Sequence, residues 1–135
     1  MPLDPVRVAE VRAWFAKAAQ DRRAAEHELT AEPPLVEDVV FHCQQLAEKA
    51  MKGFLVWHDE AFRKTHDLSE IGQKCTDLDL TLEDLCREAD ALTVFAWVFR
   101  YPADAEAPTV DEARSALALD ICQVQLRDGR SKFLQ

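Results

Sequence analysis

Between Val36 and His58 the apolar residues Val36, Val40, Cys43, Ala47, Ala50 and Phe54 recur at alternating steps of four and three. That spacing sets one stripe along a helix, with Asp38, Gln45, Lys49 and Lys52 falling largely away from it. Such a helix is stable only when its stripe is covered, so the rest of the chain must supply partner faces. Only three glycines occur in 135 residues, Gly53, Gly72 and Gly129. A fold rich in tight turns and bulges is thereby disfavoured, which argues against an all-β domain.

The partner faces are legible on both sides. From Pro5 to Leu29 the chain is rich in Ala, Glu, Arg and Lys, and Val8, Val11, Phe15, Ala18 and Ala25 keep helical spacing. Pro5 suits a first helical turn, and Pro33 and Pro34 break the helix before the next begins. After a loop from Asp59 to His66, Asp67 with Glu70 reads as a capping box opening a short helix to about Cys75. Thr81, with Glu83 and Asp84 behind it, opens a fourth helix carrying Leu82, Leu85, Cys86, Ala89, Leu92, Ala96 and Phe99 inward until Pro102 stops it. Thr109 with Glu112 is a second capping box, and a fifth helix runs to about Arg127, with Ala113, Ala116, Leu117, Ile121 and Val124 inward and Gly129 past its end. The expectation is an all-α fold, one domain over residues 1–135, built as an antiparallel up-and-down bundle of four long helices and a short one.

Composition removes several functions. The net charge of −9 repels a phosphate backbone, so strong non-specific nucleic-acid binding is not expected. No glycine-rich phosphate loop, HExxH or Gly-x-Ser-x-Gly is present. Cys43, Cys75, Cys86 and Cys122 form no CxxC pair, so no metal site is expected, and Cys43 and Cys122 read as core residues. His27, His42 and His58 show no metal-ligand spacing, and Trp14, Trp57 and Trp97 read as core or interface anchors. No secretory leader or membrane span is legible, which gives a cytoplasmic protein with no membrane partner as the expectation.

Three polar stretches remain. In FHCQQLAEKAMK, the residues Gln45, Glu48, Lys49 and Lys52 share one helical face, an amide and a carboxylate beside two ammonium groups. That face is either a phosphate and base contact or a solvated surface with a Glu48–Lys52 pair. In RKTHDL, two cations and His66 precede a helix start, where backbone amides favour anions. The plainer alternative is capping by Thr65 and Asp67, with His66 in a loop contact. In FRYP, Arg100 either bonds the last carbonyls of its helix or pairs with a phosphate, and Tyr101 either stacks on a base or covers the helix end.

In that order, FHCQQLAEKAMKGFL, KTHDL and RYP resemble the signature of the HEPN family, the higher eukaryotes and prokaryotes nucleotide-binding domain. The resemblance spans nearly the whole chain, from Trp14 to the fifth helix. It implies a helical bundle, commonly homodimeric, that binds nucleotides, with a purine nucleotide as the candidate ligand. It also implies partnership with a minimal nucleotidyltransferase, in toxin–antitoxin or related pairs. Carried over residue by residue, it marks Gln45, Glu48, Lys49, Lys52, Lys64, His66, Arg100 and Tyr101 as the nucleotide-binding set. Asp67 and Thr109 read as helix caps.

Ribonuclease members carry an Arg, four to six residues, then a His, late in the bundle. Here Arg100 is followed by Tyr-Pro-Ala-Asp-Ala-Glu-Ala and no His. Arg22 and His27 match the spacing but lie in the first helix, where five residues turn about 140° past a full turn, so the two point apart. The expectation is therefore a binding module without intrinsic catalysis and with no catalytic residue assigned. The alternatives are a ribonuclease working through His66 and Arg100, and a purely structural dimeric partner.

Overall fold

The computed structural model describes residues 4–96, 98 and 106–119. They form helices α1 (Pro5–Leu29), α2 (Val36–Trp57), α3 (Leu68–Leu78), α4 (Glu83–Asp90) and α5 (Val110–Ala118), with 3₁₀ turns at Leu80–Leu82 and Thr93–Ala96. The architecture is an all-α bundle, and among the described residues there is no strand.

The first two helices pair antiparallel along their length. Arg7 reaches Asp59, Phe15 lies over Gly53, Asp21 meets Lys49, and Glu28 meets His42. The residue numbers of each pair sum to nearly the same value, as antiparallel neighbours must. Ala18, Ala25, Ala47 and Ala50 are fully or almost fully buried in this pair, and their small side chains let the two backbones approach closely.

Helix α2 is the centre of the molecule, packed against α1, α3 and α5. Its burial extends well beyond the single stripe expected from the sequence. Leu46, Met51 and Leu55 are buried as well as Val40, Cys43, Ala47, Ala50 and Phe54, and so are the polar Gln44, Glu48 and Lys52. The face carrying Glu48 and Lys52 is not a solvated surface, because the loop after α2 folds back over it.

That loop is launched by a left-handed residue. Asp59, at φ 55°, follows the C-cap His58, and Glu60 N–H donates to the Leu55 carbonyl at 2.9 Å. This is the six-to-one bond of a Schellman ending, with Asp in the position usually given to Gly. Asp67 then caps α3 by accepting from Ser69 N–H at 2.9 Å. Glu70 does not complete a capping box, since its carboxylate takes the Arg63 guanidinium instead.

The fourth helix is shorter than the sequence predicts and starts differently. Asp79, not Thr81, accepts at its entrance, taking Thr81 N–H at 3.0 Å and the Thr81 hydroxyl at 2.6 Å, and a 3₁₀ turn leads into α4. The helix ends at Asp90, and the chain tightens into the turn at Thr93–Ala96. Thr93 Oγ1 accepts from Leu68 N–H at 3.0 Å, satisfying an orphan donor at the start of α3. The capping box of Thr109 and Glu112 opens α5. This helix runs to Ala118, with Leu119 out of helical geometry, and the expected continuation to about Arg127 lies outside the described residues. The expected inward positions Phe99, Ile121 and Val124, and the terminators Pro102 and Gly129, lie outside the described residues, as do Trp97 and Cys122.

Candidate functional site

Two of the three polar stretches meet. Helix α2 carries Gln44, Gln45, Glu48 and Lys52 beneath the returning loop, and the loop lays His66 over Glu48. The Glu48 carboxylate is 4% exposed. Its Oε1 lies 2.6 Å from His66 Nδ1 and 3.3 Å from Gln44 Nε2, and its Oε2 accepts from Lys52 Nζ at 3.2 Å. Gln44, fully buried, also donates to the His66 backbone carbonyl at 3.1 Å and accepts from Gln45 Nε2 at 2.6 Å. The His66 side chain is nonetheless 61% exposed. Four polar side chains of one helix thus anchor, through side chain and main chain together, one imidazole that faces solvent.

Lys52 shows why this is not an ordinary surface cluster. It is 6% exposed, and its ammonium lies 5.7 Å from the Trp14 ring centroid and 5.8 Å from that of Phe62. The two rings meet edge-on at 6.2 Å. A buried cation is tolerable when a carboxylate pairs with it and aromatic faces surround it. Trp14 and Phe62, both half-buried, therefore line the site's foundation.

Lys49 belongs to a second cluster. Its Nζ lies 2.5 Å from Asp21 Oδ2, while His42 Nδ1 lies 2.9 Å from Asp21 Oδ1 and His42 Nε2 lies 3.6 Å from Glu28 Oε1. Glu28 Oε2 is buried with no hydrogen-bond partner among the described residues. These groups tie α1 to α2.

The eight ligand-binding candidates therefore separate. Lys49 and Lys52 face carboxylates of their own chain. Gln45 is half-buried and spends its amide on Gln44. Lys64 is exposed and makes no ion pair among the described residues, and His66 is exposed with Nδ1 engaged. Arg100 and Tyr101 lie outside the described residues. Arg63, just before Lys64, is held by Glu70, whose hydrogen bond and charge push the guanidinium up from its ordinary value.

The sequence reading missed Gln44, Asp21, His42 and Glu28. Asp21 carried a signal, since it falls between Ala18 and Ala25 on the apolar side of α1 and is itself buried. Gln44 sits four residues before Glu48, but nothing in the pattern separates it from its neighbour Gln45. Among the described residues no cluster of three or more His, Cys, Asp or Glu side chains is placed to hold a metal ion, and no helix is long and apolar enough to cross a membrane.

Comparison with curated proteins and with solved structures gave no match. The family model described as HEPN domain matches residues 11–119. That span runs from the second turn of α1 through the end of α5 and contains the whole Glu48–His66 network. The chain belongs to the HEPN domain family.

Proposed function

We propose that the protein is a nucleotide-binding module whose ligand-facing group is His66, with Lys64 supplying charge for a phosphate. The observation that carries this reading is the Glu48–His66 contact: a buried carboxylate, itself held by Gln44 and Lys52, orients an imidazole that is mostly open to solvent. Burying charge costs free energy unless it is compensated, so a network ending on an exposed ring supports a role for that ring. Membership of the HEPN family supports the nucleotide as the ligand class. Lys52 serves this site as its foundation and Lys49 ties α1 to α2, so neither is a phosphate ligand in this reading. Arg100 and Tyr101 complete the ligand set in this reading, on the strength of the sequence pattern alone.

The test is equilibrium binding of ATP and GTP to the full chain across a range of salt concentrations. Affinity is expected to fall with salt, because Lys64 meets the phosphates at an exposed site. Lys64→Ala should weaken binding and flatten the salt dependence, and His66→Ala should weaken it at every salt concentration. Unchanged affinity in both variants would overturn the reading. As a HEPN module the protein would act as a homodimer beside a minimal nucleotidyltransferase. Light scattering checks the first point, and co-purification with such an enzyme checks the second.

The same contact favours a second reading. A carboxylate behind a histidine is also the arrangement of a general base. RNA cleavage by the purified chain that stops in His66→Ala would make the protein a ribonuclease with His66 in place of the missing Arg-x4–6-His motif.

A further inference from the structure

The hydrogen-bond network fixes which His66 nitrogen meets a ligand and, for the neutral ring, which tautomer it presents. Glu48 already accepts from Lys52 Nζ through Oε2 and from Gln44 Nε2 through Oε1. A carboxylate filled in this way is an acceptor, so at 2.6 Å the proton in the Glu48–His66 contact belongs to Nδ1. The alternative tautomer would set two lone pairs against each other at that distance. Gln44 also holds the His66 backbone carbonyl at 3.1 Å, so the loop is fastened on the same helix as the ring and rotating the imidazole away loses a short contact.

We infer that in the neutral ring His66 Nε2 is a fixed hydrogen-bond acceptor, and that the nucleotide group it then takes is a proton donor, a ribose hydroxyl or a base N–H, and not a phosphate oxygen. The inference rests on the nucleotide-binding reading of the same site and refines it. A neutral imidazole with its lone pair outward repels an anionic oxygen and accepts from O–H or N–H. The phosphate is left to Lys64, two residues earlier on the same loop. Glu48 and Gln44 act as positioning residues, since neither is exposed to a ligand.

Ring nitrogen resonances of the ¹⁵N-labelled full chain, recorded at a pH where the ring is neutral, test the inference first. The expected result is a protonated Nδ1 and a bare Nε2 for His66, and an Nε2–H tautomer overturns it. Glu48→Gln offers a second reading, because a glutamine amide can donate to Nδ1 and drive the proton to Nε2. The variant should then show the reversed tautomer and weaker ATP binding, by roughly threefold to tenfold, the worth of one hydrogen bond. If that variant does not fold, the wild-type tautomer still decides.

Ligand arms then identify the donor. Loss of affinity with 2′-deoxy-ATP or 3′-deoxy-ATP assigns the ribose hydroxyl, while loss with a purine riboside triphosphate lacking the exocyclic amine assigns the base N–H. If inorganic tripolyphosphate perturbs the His66 ring as strongly as ATP does, the binding site stands and the acceptor assignment falls. If ATP has no effect on any resonance, the nucleotide reading itself falls, and this inference with it.

Discussion

Lys49 Nζ lies 2.5 Å from Asp21 Oδ2, across the interface of the two longest helices. A lysine that the sequence offers as a phosphate ligand is in the structure a fastening between α1 and α2. Asp21 is shared with His42, so one nearly buried carboxylate serves two donors. Asp21→Ala should cost about 2 kcal/mol, because it strips the acceptor from both donors in a site largely closed to water. Asp21→Leu combined with Lys49→Met should recover part of that loss, since the apolar pair needs no compensation while His42 still loses its acceptor. Urea denaturation of the two variants measures both, and a loss below about 0.5 kcal/mol for Asp21→Ala would show that the ion pair contributes little.

Gly53 is required by packing. A Cβ placed there would come within 2.4 Å of Phe15 Cε1 and 2.7 Å of Phe15 Cδ1, and Phe15 is buried with little room to move. Gly53→Ala should therefore destabilise by about 1–3 kcal/mol even though alanine is the better helix former. At Gly72 the nearest atom would be Cys86 Cβ at 3.2 Å, a mild crowding that the gain in helix propensity offsets. Gly72→Ala should stay within about 1 kcal/mol of wild type. Thermal melts of the two variants should separate clearly, and equal melting temperatures would contradict the close approach at Gly53.

Burial pushes the Cys43 thiol up from its ordinary 9.0 to about 12, with the nearby Arg22 charge acting in the opposite direction. Burial also pushes up Cys86, against a hydrogen bond with Thr76 that lowers it. The unfolded chain sheds the Cys43 proton near 9.0 and the folded chain keeps it until about 12. Its contribution to stability is thus complete below the unfolded value and is lost as pH rises toward the folded one. The urea midpoint should fall between about pH 8.5 and about pH 10.5, and fall less steeply in Cys43→Ala. Parallel pH profiles for the two proteins would contradict this. Cys43, Cys75 and Cys86, all buried thiols, should also resist alkylation in the folded chain and react on unfolding, as peptide mapping will show.

How far the sequence was readable follows from where the governing interactions lie. Helix α1 spans the expected Pro5–Leu29, and α2 ends at Trp57, one residue before the expected limit, because apolar period, proline breaks and first-turn residues are local signals. Helix α4 stops short of its periodic pattern, and the residues beyond it are engaged far away in sequence, where Thr93 Oγ1 accepts from the Leu68 amide. The entry at Asp79 was misplaced by two residues, since Asp79 and Thr81 both suit a cap and only the fold chooses between them. At the site, Glu48 and His66 were legible as chemistry but not as partners. Their contact exists because the loop from Asp59 to His66 folds back over α2, and no periodicity encodes that return. Lys49 and Lys52 looked available because α2 was read with one buried face, while α1 and the returning loop cover much of the other.

In the proposed reading His66, held by Glu48, forms the nucleotide-facing part of this HEPN domain. The most direct measurement is a titration of the full chain with ATP and GTP, followed through backbone amide resonances in wild type and in His66→Ala. The expected shifts are confined to the loop around Lys64 and His66 and to the nearby face of α2 at Gln45 and Glu48, and they disappear in His66→Ala while the rest of the spectrum is preserved. Unmoved resonances at millimolar nucleotide, or shifts that persist unchanged in His66→Ala, would contradict it.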